Sequence, residues 1–221
     1  GLQKELLKEI KRVNKNIVLV VMSGRPLDLT WEDENIPAIV QAWQLGSKSG
    51  DAIAQVLYGD YNPSGKLTMS FPRNVGQVPV YYNYKNTGRP STSIEQVTNS
   101  GYADVENSPL YSFGYGLSYT EFSYSDFEIS SDSMTKDSKI NASVTVSNTG
   151  KFKGEEVVQF YLRDIVGSIA RPMKELKGFE KIELAPGESK VVNFEIDSSL
   201  LEFYTYENKW EAEVGKFHAF I

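Results

Sequence analysis

The chain has no cysteine and a single histidine among its 221 residues. Disulfides and thiolate metal sites are excluded, and so is any site built on several histidines. His218 is the only imidazole a Ser-His-Asp relay could use, and it lies in a strand-like stretch near the end of the chain. No acidic spacing matches an EF-hand loop. Long apolar runs are missing as well, none approaching the ~20 residues a transmembrane helix needs. Positive charge is in deficit: 23 Lys and Arg against 29 Asp and Glu leave a formal net charge of −6. That balance argues against nucleic acid or an anionic membrane surface as a partner. No signal peptide pattern opens the chain, which enters mid-helix at Gly1-Leu2-Gln3-Lys4 without a start methionine. It ends inside an alternating pattern, so a piece of a longer polypeptide is expected.

What is present is ordinary for a globular protein: 40% apolar and 12% aromatic residues. The length suits one or two domains, with a core able to bury roughly 70% of the unfolded chain's surface. Leu2, Leu6, Leu7, Ile10 and Val13 recur at helical spacing among Lys, Glu and Arg. The unbroken run 17–22 predicts a strand covered on both faces, as in a parallel sheet. A second buried run over 38–43 follows, then a helix over 51–58 with Asp51 in its first turn. This is α/β layering. The spacing of Gly46, Lys48 and Gly50 fits neither dinucleotide nor P-loop signatures, so a tight turn is expected there, without a phosphate. Glu32, Asp33 and Glu34 predict a solvated loop.

The stretch from Gly59 to Pro72 is dense in residues chosen for backbone geometry. Gly59 suits a left-handed helix end, Asn62-Pro63 favours a turn, and Gly65 can supply a second unusual φ before a strand over 66–71. Nothing in it is reactive, and architecture is its expected role. From about Val78 to Pro109 the composition turns to Tyr, Asn, Ser, Thr and Gly, too long a stretch for a neutral connector. Its tyrosines predict packing on another domain ahead of contact with a sugar ring. Within it, Tyr84, Arg89 and Tyr102 are the candidate substrate-binding residues, an aromatic face and a planar guanidinium being what sugars are held by.

Beyond Leu117 the texture is all-β. Alternating or apolar runs over 122–129, 140–146, 157–162, 176–184, 191–196 and 210–220, with turns between, predict an immunoglobulin-like or fibronectin III-like sandwich beginning near 118 and lacking its last edge. The expected division is a partial α/β sandwich over 1–77, a loop and linker over 78–117, and a β-sandwich over 118–221. Asn141-Ala142-Ser143 is a formal glycosylation sequon.

Several segments occur together in a telling order: Asn62-Pro63-Ser64-Gly65-Lys66-Leu67, Gly76-Gln77-Val78-Pro79, Thr87-Gly88-Arg89-Pro90, Phe113-Gly114-Tyr115-Gly116-Leu117-Ser118-Tyr119, Arg171-Pro172-Met173-Lys174-Glu175-Leu176 and Leu184-Ala185-Pro186-Gly187-Glu188. Through them essentially the whole chain resembles the C-terminal half of glycoside hydrolase family 3, closest to bacterial periplasmic β-glucosidases. The resemblance implies a retaining mechanism with two carboxyl groups about 5–5.5 Å apart. It also implies that the nucleophilic Asp lies on an N-terminal (β/α)8 barrel and the acid/base Glu upstream of the opening helix. No catalytic residue, metal ligand or cofactor site is therefore assigned to this chain. The implied partners are the barrel and upstream α/β segment of the same polypeptide and a β-glucoside or oligosaccharide substrate. A homodimer stays open, and the implied location is periplasmic or secreted. The alternative reading is a stand-alone carbohydrate-binding or adhesion module. Glycan binding by the isolated chain would favour that module.

Overall fold

The computed structural model describes residues 1–90 and 100–221. The first layer is built from α1 (Leu2–Val13), β1 (Val18–Val21), α2 (Thr30–Asn35), β2 (Ala38–Gln41) and α3 (Ser49–Tyr58). β1 and β2 pair in parallel, Val18 opposite Ala38. The alternation of β1 sends Leu19 and Val21 to a cluster with Leu29, Ile39, Trp43 and Phe71. Its other face is half open, Val18 being 48% exposed, so the expected cover on both faces is not supplied by the described residues.

The opening helix forms where its spacing places it, with its apolar stripe turned outward: Leu2 is 89%, Leu6 62% and Val13 75% exposed. Lys4, Lys8 and Lys11 instead stand 5.7–5.9 Å from the Trp31 ring, so the basic face meets the body of the molecule. The acidic cluster also departs from a solvated loop. It forms α2, where Glu32 is buried 3.8 Å from Lys4 and Asp33 accepts a 2.6 Å hydrogen bond from the Tyr111 hydroxyl.

Gly59 closes α3 in the left-handed region at φ 82°, as its position suggests. The predicted strand over 66–71 is not continuous, and Gly65 has no positive φ. The segment instead meets 110–115 at two points: Leu67 with Gly114 and Tyr115, and Phe71 with Leu110 and Tyr111. Between them the Ser70 hydroxyl accepts from the Phe113 amide at 3.2 Å, and a side chain takes the place of a ladder bond.

The remainder is a β-sandwich. One antiparallel sheet orders β3 (Phe122–Ile129), β4 (Ile140–Asn148) and β7 (Ser189–Ile196); the other orders β10 (Phe217–Phe220), β5 (Gly154–Asp164) and β6 (Glu175–Leu184). Alternation along β4 and β5 delivers Val144, Val146, Val158 and Phe160 to the space between them, with Phe160 stacked on Phe194 at 5.1 Å. The predicted run over 210–220 is broken: β8 (Phe203–Tyr204) and β9 (Trp210–Glu211) make a small hairpin before β10. The chain is thus α/β layering followed by an immunoglobulin-type sandwich.

Candidate functional site

The side chains of the loop after α3 converge on the sandwich. Asn62 Oδ1 accepts from Ser118 Oγ at 2.9 Å and from the Tyr119 amide at 2.8 Å, while its Nδ2 donates to the Lys153 carbonyl at 3.0 Å. The hydroxyls of Tyr61 and Ser64 both donate to Glu155 Oε2, at 2.9 and 3.1 Å, and Lys181 reaches the same carboxylate at 2.7 Å. These donors hold the Glu155 carboxyl below its ordinary range, the Lys181 hydrogen bond being the largest cause.

The next residue of β5 serves the same joint from the other side of the strand. Glu156 falls on the inner face with Val158 and Phe160 and is buried. Lys66 enters the end of the sandwich to meet it, Nζ to Oε2 at 3.0 Å, and also donates to the Gly116 carbonyl at 3.0 Å. The Tyr124 hydroxyl donates to the remaining oxygen at 2.9 Å. Burial first, then Glu156, raises the Tyr124 phenol above its usual range.

The tyrosine-bearing segment is tied down at several points. Tyr82 stacks on Phe113 at 4.2 Å, meets Tyr161 edge-on at 6.3 Å, and its hydroxyl accepts from the Leu176 amide at 3.3 Å. The Tyr161 phenol is pushed up to about 12 by its burial and by Tyr82. Gln77, only 2% exposed, is a second anchor: its Oε1 accepts from the Arg73 amide and its Nε2 donates to the Glu106 carbonyl, both at 2.6 Å.

The candidate substrate-binding residues sit on different anchors. Tyr84 is 58% exposed and its carbonyl accepts from Met173 on the sandwich at 2.8 Å. Tyr102 turns its hydroxyl inward to the Gln77 carbonyl at 3.1 Å and keeps 39% of its surface. Arg89 is exposed, with its carbonyl accepting from Ser100 at 2.8 Å. No hydrogen bond or ring contact joins Tyr84, Arg89 and Tyr102 among the described residues. Residues 91–99, between Arg89 and Tyr102, lie outside the described residues. Sequence reasoning did not single out Asn62, Gln77 or Glu156 as joint residues. The signal available for the last was an acidic residue at an inward position of an apolar strand.

The buried carboxylates have basic neighbours: Glu32 with Lys4, Glu156 with Lys66, and Asp164 with Arg171 at 3.4 Å. Burial raises the Asp164 carboxyl despite that guanidinium. His218 lies on β10 opposite Arg163, edge-on to Phe220 at 6.2 Å. Among the described residues no group of His, Cys, Asp and Glu could hold a metal ion, and no helix is long and apolar enough to cross a membrane.

The family described as the glycosyl hydrolase family 3 C-terminal domain matches residues 1–119, and the fibronectin type III-like domain matches residues 156–221. A periplasmic beta-glucosidase of Salmonella typhimurium is 53% identical over 220 residues, which is 99% of this chain and 29% of that protein. A putative beta-xylosidase of Formosa agariphila is 42% identical over 221 residues, covering 28% of its length. The crystal structure of a Listeria innocua beta-glucosidase in complex with isofagomine superposes with a TM-score of 0.91 at 40% identity, over 98% of this chain and 30% of that one. The chain therefore spans under a third of the relatives it matches, and it belongs to glycosyl hydrolase family 3.

Proposed function

We propose that the chain is the C-terminal scaffold of a retaining β-glucosidase-type hydrolase that removes terminal β-linked sugars from β-glucosides or oligosaccharides. The observation that carries this reading is the similarity along nearly the whole chain to glycosidases of far greater length. The geometry supports it: the buried carboxylates serve ion pairs, and the outward stripe of α1 suits packing against an upstream α/β segment. The nucleophilic and acid/base carboxylates then belong to the rest of that polypeptide, beginning with its barrel. The chain alone should leave p-nitrophenyl β-glucoside intact, whereas the parent-length protein should hydrolyse it. Turnover by the pure chain would overturn the scaffold role.

Within this reading the chain divides into 1–77, 78–117 and 118–221, and the parent protein works in the periplasm or outside the cell. Similarity to the periplasmic beta-glucosidase of Salmonella typhimurium supports the location. Tyr84, Arg89 and Tyr102 form a rim that touches the outer units of longer substrates. In the parent enzyme, Arg89→Ala and Tyr102→Ala should raise KM for oligosaccharides more than for an aryl monoglycoside. Equal effects on both substrates, or a lowered melting temperature alone, would assign these residues to structure.

A further inference from the structure

The start of the tyrosine-bearing segment and the loop between β5 and β6 enclose a cleft. Lys85 bridges Pro172, and the Met173 amide donates to the Tyr84 carbonyl, so the two chain segments are held side by side. The cavity between them is about 300 Å³, and Asn86, Arg163, Ser168, Ile169 and Met173 line it. That volume is at the small end of small-molecule sites.

Its wall is rigid. Arg171 is held between Asp164 at 3.4 Å and Glu175 at 2.9 Å, with its guanidinium 4.1 Å from the centre of the Phe203 ring. Arg163 differs: its guanidinium makes no hydrogen bond or ion pair among the described residues. Asn86 uses Oδ1 to accept from the Gly88 amide at 3.3 Å, while its Nδ2 makes no such contact.

We propose that this cleft binds one neutral pyranose unit of an oligosaccharide. Planar donors from Arg163 and Asn86 match ring hydroxyls, and Ile169 and Met173 supply an apolar surface for the C–H face of the sugar. A carboxylate or phosphate ligand fits worse. Asp164 lies in the wall, and Arg171, the other guanidinium there, is already paired with Asp164 and Glu175. The choice of a sugar rests on the hydrolase reading, but binding here needs no catalysis.

The test is a titration of the 221-residue chain with cellotetraose and xylotetraose, followed by backbone amide chemical shifts. Saturable shifts are expected over 163–173 and 84–88. Arg163→Ala should weaken binding about tenfold, and Asn86→Asp, which keeps the turn acceptor and removes the donor, about fivefold, each as the loss of hydrogen bonds to the ligand. Melting temperatures should not move; if Arg163→Ala fails to fold, Asn86→Asp decides. Absence of shifts, shifts elsewhere, or wild-type affinity in the folded variants would overturn the proposal. Tighter binding of glucuronic acid than of glucose would overturn its neutral ligand. An empty cleft in a parent protein that hydrolyses β-glucosides counts against this proposal alone. Sugar binding without hydrolysis by the parent counts against the hydrolase reading alone.

Discussion

Lys66 and Glu156 meet with side chains 15% and 10% exposed, where an unpaired charge is far costlier than at the surface. Among the described residues, Lys66→Ala leaves the Glu156 carboxylate with the Tyr124 hydroxyl alone, and a loss of about 3–5 kcal/mol is expected in denaturant unfolding. Adding Glu156→Gln to that variant should recover part of the loss, and a double-mutant cycle measures the coupling directly. Strictly additive losses would show that the pair does not hold the joint. Gly116 tests the same place through backbone. A Cβ there would stand 2.3 Å from the Gly65 carbonyl oxygen, which no flexible side chain can vacate. Gly116→Ala should therefore destabilise by roughly 1–3 kcal/mol, with chemical shift changes on both sides of the joint. Changes confined to one side would relieve Gly116 of that role.

At the scale of elements, the strands of the sandwich were legible because alternation and burial agree; β4 and β5 follow their inward positions almost residue by residue. Helix α1 was legible as a helix but not in its orientation. Periodicity locates an apolar stripe without saying what covers it, and here three lysines over Trp31 fix the opposite face. The stretch 66–71 alternates like a strand, yet the Ser70 hydroxyl bonds the Phe113 amide, and side-chain competition of that kind leaves little trace in a hydropathy pattern. The candidate rim was readable only as residue types, since its anchoring by Gln77 and Met173 depends on contacts distant in sequence. The uncovered stripe makes a prediction. Leu6→Lys with Ile10→Glu should change the stability of this chain by less than about 1 kcal/mol and improve its solubility. The same pair in the parent-length protein should be strongly destabilising. A large loss in the chain itself would mean that the stripe is covered, for instance by a second copy.

For the whole molecule, pH acts through the joint. The Glu155 carboxyl is held below its ordinary 4.5, so its contribution is complete above that value and is lost as pH falls through the lower folded value. Lys181 is raised above its ordinary 10.5, chiefly by the hydrogen bond to Glu155, so its share is complete below that value and is lost as pH rises through the higher folded one. The joint is strongest between these limits. Asp164, raised by burial, has the opposite sign to Glu155, whereas Asp197 and Glu207 are lowered as Glu155 is, so a variant is needed to isolate the effect. Melting temperature followed downward from pH 5 should fall less steeply in Glu155→Gln than in the parent sequence. Parallel curves would remove Glu155 from the acid response. Limited proteolysis should cut first between Thr87 and Asn107, a span that includes residues outside those described, and a first cut within 140–196 would show that the units are wrongly drawn.

The contacts around Asn62 point toward Ser118, Tyr119 and Lys153 and depend on angle as well as distance. A greasy interface lets two bodies slide or swivel at small cost, because apolar attraction has no preferred direction. Here a modest rotation of the sandwich about the linking chain would misalign the bonds to Asn62, Glu155 and Glu156 together. The coupling is keyed like a shaft in its slot: what the bonds around Asn62 specify is a heading, so the sandwich is held in one orientation to the layer beside it.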